Sequence, residues 1–163
     1  MIVFHGTCEV VMEPDILHSF RSLDFGKAFY VTENPEQAER WARRKALLNR
    51  SEHAIVNQYR MEENLSGLKV KTFADDLKEW IDFVCDCRDG KPVYQEYDLI
   101  IGKVANDRVF RVVDMYHQGI WDREKALSEI RVYPNYDQTA FVTQKAIDRL
   151  LRFDGYREVA VHG

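Results

Sequence analysis

Apolar runs of strand length and stretches of helical periodicity are interspersed along this chain at irregular intervals. That irregularity constrains the fold more than any other feature. Regular strand–helix alternation would build a doubly wound parallel sheet, whereas this pattern predicts a mixed α+β domain. There is no internal repeat, no G-x-G-x-x-G fingerprint and no Walker-type phosphate loop. The 163 residues, 45% hydrophobic and 31% charged, suffice for one sizeable core. A single domain over residues 1–163 is therefore expected, and disordered, collagen-like and coiled-coil classes are excluded.

The elements are placed by turn residues and caps. Ile2 to Phe4 reads as a strand stopped by His5-Gly6-Thr7, and a short segment follows near Asp15 to Phe20. Ala28 to Val31 reads as a second strand ended by Thr32. Asn34, Pro35 and Gln37 form an N-cap, first-turn proline and capping-box spacing, after which Ala38, Trp41, Ala42 and Leu48 mark the buried face of a helix. Ala54 to Met61 and Leu68 to Val70 read as a hairpin-like pair joined through Asn64, Ser66 and Gly67.

Thr72 is expected to cap a helix bearing Leu77, Trp80, Ile81 and Val84, which stops before Asp89-Gly90-Lys91-Pro92; residues 72–88 read as a helical insertion. Tyr97 to Val104 is a central strand closing on Asn106-Asp107-Arg108, and Val109, Val112, Val113 and Tyr116 mark the next helix. Asp122 caps a helix with Ala126, Leu127 and Ile130. Arg131-Val132 reads as a strand, Pro134-Asn135 as a loop and Gln138 to Val142 as a strand. Thr143 caps a helix with Ala146, Ile147, Leu150 and Leu151, and Tyr156 to Val161 alternates as the last strand.

A formal net charge of -4 argues against wholesale neutralisation of nucleic-acid phosphates, although Arg40, Arg43, Arg44, Lys45 and Arg50 form a local basic cluster. That cluster reads either as a solvated helix face or as a means of steering anions. Cys8, Cys85 and Cys87 fit neither a disulfide framework nor a zinc site, so reduced thiols are expected. No stretch has the length of a membrane span and the start lacks the pattern of a signal peptide, which leads to the expectation of a soluble, cytoplasmic protein that binds no membrane.

Three polar features occur at strand ends or on strands: His5-Gly6-Thr7, the block from Asp24 to Tyr30, and Asp137-Gln138. Each has a structural reading. A strand-edge histidine can be satisfied by one hydrogen bond, and Tyr30 beside Phe29 can belong to the core.

Their order and context resemble a family. Phe4-His5-Gly6-Thr7 is similar to the opening motif of ADP-ribosyltransferases of the histidine-tyrosine-glutamate type, the class of diphtheria toxin and the poly-ADP-ribose polymerases. Phe25-Gly26-Lys27 through Phe29-Tyr30, followed by a helix with Gln37-Ala38, resembles their second motif. Over nearly its full length the chain resembles a bacterial family of small domains of unknown function placed with those transferases. Its blocks read Y-H-G-S/T, D-F-G-K-G-F-Y-x-T, I-G-x-x-A-D/N-D-R and Q-x-x-F-x-T. Here they are His5 to Thr7, Asp24 to Thr32, Ile101 to Arg108 and Gln138 to Thr143. Ala28 replaces a glycine of the second block.

The resemblance implies an ADP-ribosyltransferase-like split mixed β-sheet core with flanking helices, with NAD as co-substrate and no metal. It implies an enzyme of the glycosyltransferase class that cleaves the nicotinamide–ribose bond and transfers ADP-ribose to a macromolecule, protein or nucleic acid. It also implies a setting in a bacterial toxin–antitoxin pair with an antitoxin protein as partner. His5, Tyr30 and Gln138 would be catalytic. His5, Gly6, Thr7, Phe25, Gly26 and Tyr30 would bind NAD: His5 through a ribose hydroxyl, the Gly6 backbone through the nicotinamide amide and Tyr30 by offering a face to the charged ring. Asn106, Asp107, Arg108 and Tyr136 would line the cleft rim or meet the acceptor, with Tyr133 beside them.

Gln138 stands where the better-studied transferases carry a glutamate. It keeps the hydrogen bond but neither the charge nor the basicity. Slower transfer, an acceptor that supplies its own nucleophile, and a domain that binds NAD or ADP-ribose without turnover all follow from that exchange. Asp137 is a poor substitute, because neighbouring residues on a strand face opposite ways. The residue two before Gln138 is Tyr136, which gives no support to an arginine acceptor. A 2′-phosphotransferase acting on RNA would want several arginines along the cleft, which the sequence does not place there.

Overall fold

The computed structural model describes residues 1–17, 24–105, 107–133 and 136–162. The expected segment near Asp15 to Phe20 falls partly outside these residues, and the Pro134-Asn135 loop and Asn106 lie wholly outside them. The fold is mixed α+β. One antiparallel sheet has the order β1 (Ile2–Thr7), β3 (Ala54–Met61), β7 (Leu151–Val159). The other has the order β2 (Phe29–Val31), β6 (Asp137–Phe141), β5 (Leu99–Lys103), β4 (Val70–Thr72) and is mixed, with β4 parallel to β5. Among the described residues a single bridge, Phe4 to Thr32, joins the two sheets.

Helix α1 (Pro35–Leu48) covers the first sheet. Its Asn34 cap accepts from Gln37 N–H at 3.0 Å, as expected, but the reciprocal half of the capping box is absent: Gln37 Oε1 accepts from Arg40 instead. Ala38, Ala42 and Ala46 form the buried stripe, and Leu48 lies off it, 61% exposed. Gly6 explains why small residues suffice here. A Cβ at Gly6 would collide with the carbonyl of Ala38 and come within 2.7 Å of Ala42 N, so strand and helix backbones meet directly.

Several expectations are corrected. β1 runs on through His5, Gly6 and Thr7, because β3 continues to pair with it as far as Ile55. The Ala54 to Met61 and Leu68 to Val70 segments form no hairpin: β1 and β7 occupy both edges of β3, so the chain crosses to the second sheet and β4 pairs with β5. Thr72 therefore belongs to β4 and caps nothing. Helix α2 (Lys78–Arg88) starts after Leu77, whose φ of 63° breaks the chain direction. Trp80, Ile81 and Val84 join Tyr30, Ile100 and Ala140 in one core cluster, so α2 is part of the central packing.

Past the 3-10 turn at Pro92–Glu96 and strand β5, α3 (Asp107–His117) and α4 (Arg123–Ile130) pack on the same cluster. Arg131 and Val132 are the turn that ends α4, bonded back to Leu127 and Glu129, and not a strand. Helix α5 (Gln144–Leu150), capped by Thr143, passes straight into β7, which begins five residues before the expected Tyr156. None of the three cysteines is in a disulfide among the described residues. Among the described residues no helix is long and apolar enough to cross a membrane.

Candidate functional site

The seam between the sheets holds the first group. Phe4 and Thr32 exchange both backbone bonds, Phe4 N–H to Thr32 O at 2.8 Å and Thr32 N–H to Phe4 O at 2.9 Å. No other backbone bond joins β1 to β2 among the described residues. Hydrogen-bonding groups alternate sides along a strand, so Gly6, like Phe4, turns its N–H and C=O toward β2. The next rung would pair Gly6 with Tyr30. Instead the Tyr30 carbonyl accepts from His5 Nδ1 at 2.7 Å. The ladder thus opens after one rung, beside a glycine.

His5 is stacked on Phe29 with ring centroids 4.2 Å apart. A carbonyl oxygen only accepts, so Nδ1 carries the proton. Burial lowers the pKa to about 4; the bond to Tyr30 opposes this and the Lys45 charge adds to it. At neutral pH the imidazole is uncharged and its Nε2 is a hydrogen-bond acceptor. Thr7, two residues further along the strand, is buried.

Tyr30 turns the other way. Its ring lies in the cluster with Phe25, Trp80 and Ala140, while Phe29 and Phe141 lie in the cluster on the opposite face. The rings of His5 and Tyr30 therefore do not face each other; the two residues meet through the Tyr30 carbonyl. The Tyr30 hydroxyl donates to Gly26 O at 2.6 Å and accepts from Phe25 N–H at 3.0 Å. Burial, followed by the Asp24 charge, raises its pKa well above that of a free phenol. Phe25 is fully buried and stacked on Phe73. Gly26 has φ +83°, and a Cβ there would enter the Tyr94 ring. The Asp24 to Tyr30 block is thus a tight turn closed by its own phenol.

The third group lies at the start of β6. Gln138 is 4% exposed and shares the strand parity of Ala140, hence the face of Tyr30. Its Nε2 donates to Asp24 Oδ2 at 3.1 Å and to Lys103 O at 3.3 Å. The Lys103 carbonyl only accepts, so the amide orientation is fixed and Oε1 faces away from both partners. Asp24 Oδ2 also accepts from Ala105 N–H at 2.9 Å. Burial raises the Asp24 pKa, opposed by that bond, by Arg88, by the Gln138 amide and by Arg44. Asp137 points elsewhere and pairs with Lys103 at 3.0 Å.

Asp24 is the residue that sequence reasoning quoted but gave no role. The available signal was its position at the head of the Asp24 to Thr32 block, but its partner lies 114 residues away. Arg88 was not singled out at all. Its terminal nitrogens are buried with no hydrogen-bond partner among the described residues, and its guanidinium lies over Phe110 at 3.9 Å.

Of the expected rim residues, Asn106 lies outside the described residues and Asp107 opens α3. Arg108 stands over Tyr133 at 5.8 Å, and Arg40 over Tyr136 at 4.9 Å. The basic cluster divides. Arg43 bonds Ala160 O and tethers α1 to the chain end, while Arg44 is exposed and lends its charge to Asp24.

A family model described as "Protein of unknown function (DUF3990)" matches residues 1–153. No curated protein and no solved structure matches the chain.

Proposed function

The chain belongs to the DUF3990 family, and we propose that it works as an NAD-dependent mono-ADP-ribosyltransferase, breaking the nicotinamide–ribose bond and handing ADP-ribose to a macromolecular acceptor. The observation that carries this reading is the rung missing between Gly6 and Tyr30. A primary carboxamide offers one acceptor and one donor side by side, the same pair that a strand residue would have offered Gly6. Nicotinamide would accept from Gly6 N–H and donate to Gly6 C=O, adding itself to the sheet edge.

His5 Nε2, held uncharged, supplies an acceptor for a ribose hydroxyl. Gln138 Oε1, directed by its two Nε2 bonds, supplies another. Tyr30 holds the Phe25-Gly26 turn in this reading, in place of the ring face that the resemblance implied. The resemblance adds the setting of a small transferase neutralised by an antitoxin, whose binding would have to close the Gly6 edge.

One observation favours a second reading, a module that binds NAD or ADP-ribose without turnover: position 138 carries no charge and its amide donors are committed. Purified protein incubated with NAD labelled in both halves, with and without cell extract, separates the two. Release of nicotinamide together with label on a macromolecule is the expected result. Saturable calorimetric binding without release favours the module, and absence of both overturns the NAD reading.

A further inference from the structure

We propose that Asp24 supplies the carboxylate that position 138 lacks, acting as the general base of the transfer step; this rests on the NAD reading above. Gln138 Nε2 lies 3.1 Å from Asp24 Oδ2, so any ribose that reaches the matched position on β6 also reaches the neighbourhood of a carboxylate. The bonds Asp24 makes to Ala105 N–H and Gln138 both fall on Oδ2. The other oxygen, Oδ1, carries neither and is the one that takes the proton. The alternative carboxylate, Asp137, is turned outward onto Lys103.

The chemistry balances without a further reactant. The bond from ribose C1′ to the nicotinamide nitrogen breaks, and its electron pair leaves with nicotinamide as the neutral ring. An acceptor O–H or N–H, or water, forms the new bond to C1′ and gives its proton to Asp24 Oδ1. Before that, the carboxylate stabilises positive charge developing on the sugar.

The groups facing Asp24 come from four elements: Arg44 on α1, Arg88 and Cys87 on α2, Gln138 on β6 and Tyr30 on β2. Burial outweighs the two arginines and holds its pKa above the ordinary aspartate range. The pH below which such a base takes up its proton is displaced upward, and the acid limb of the rate profile reports it.

The test measures NAD binding by calorimetry and nicotinamide release against pH for wild type, Asp24→Asn, Gln138→Glu and the double variant. Asp24→Asn keeps an acceptor for Ala105 N–H. It should bind NAD within about twofold of wild type, release nicotinamide about 10²-fold more slowly and lose the acid limb. Gln138→Glu alone should bring no gain, since two carboxylates at that spacing do not both ionise. In the Asp24→Asn background it should restore at least about tenfold, because the charge returns to the same spot.

Should Asp24→Asn fail to fold, Arg44→Ala carries the test: removing that charge must move the acid limb of release to higher pH. An Asp24→Asn variant that binds and turns over like wild type overturns the proposal, as does an acid limb unmoved in Arg44→Ala. Wild type that binds NAD without releasing nicotinamide overturns it too and leaves NAD binding standing. Wild type that binds no NAD removes the reading on which it rests.

Discussion

The His5 imidazole donates Nδ1–H to the backbone carbonyl of Tyr30 at 2.7 Å, taking the place of a rung that Gly6 would otherwise have completed. One side chain thereby ends the ladder between the two sheets and leaves a donor and an acceptor of the backbone facing the gap. Protonation of that ring would leave the bond in place and remove the Nε2 acceptor.

His5 should stay neutral across the physiological range. Its folded pKa, about 4, lies below the ordinary 6.5, so the unfolded chain takes up the proton first. The associated stability is fully present above pH 6.5 and is lost as pH falls toward 4, amounting to at most about 3 kcal/mol. Proton NMR checks this directly. His5 ring signals should stay flat from pH 8 to 5, while those of His53, raised by its bond to Glu158, should titrate above 6.5.

Gly6→Ala should be severely destabilising, because the added methyl meets the backbone of α1, which has no rotamer to give. A loss of about 3 kcal/mol or more is expected, lowering the melting temperature by roughly 6–12 °C. A melting curve coincident with wild type would mean that strand and helix do not touch at this point.

Tyr30→Phe removes the hydroxyl that both donates to Gly26 O and accepts from Phe25 N–H, leaving two buried backbone groups without that partner. A loss of about 2–4 kcal/mol in chemical denaturation follows, with little change in the slope against denaturant. Because the turn carries Asp24, nicotinamide release should fall as well.

Arg88→Met should have the opposite effect on stability. The terminal guanidinium nitrogens are buried with no hydrogen-bond partner among the described residues, and the aromatic contact with Phe110 together with the Asp24 charge offsets only part of that cost. A gain of about 1 kcal/mol at neutral pH is expected from thermal unfolding. A loss of more than about 2 kcal/mol would mean that the charge is paired.

Local signals made much of the fold legible. Asn34, Asp122 and Thr143 each cap the helix expected of them, because a cap is a bond between a side chain and a backbone N–H three residues on. Ala54 to Met61 was readable to the residue from its apolar density. Thr72 and the supposed hairpin misled for one reason: the pairing of β4 with β5 is decided 29 residues away, and nothing near Thr72 announces it.

The candidate site was legible in its motifs and not in its directions. His5 meets Tyr30 only through the Tyr30 carbonyl, strand parity sends the Tyr30 ring into the core on the face of Gln138, and only the tertiary fold puts Asp24 beside Gln138. A turn that approaches a strand end from another part of the chain leaves no periodic trace in sequence.

The most direct test of the account is a titration of isotope-labelled protein with NAD followed by amide NMR. Saturable shifts centred on the Gly6 N–H and the His5 ring, reproduced by nicotinamide alone at Gly6, are the predicted result. Unchanged Gly6 and His5 signals at millimolar NAD would contradict it.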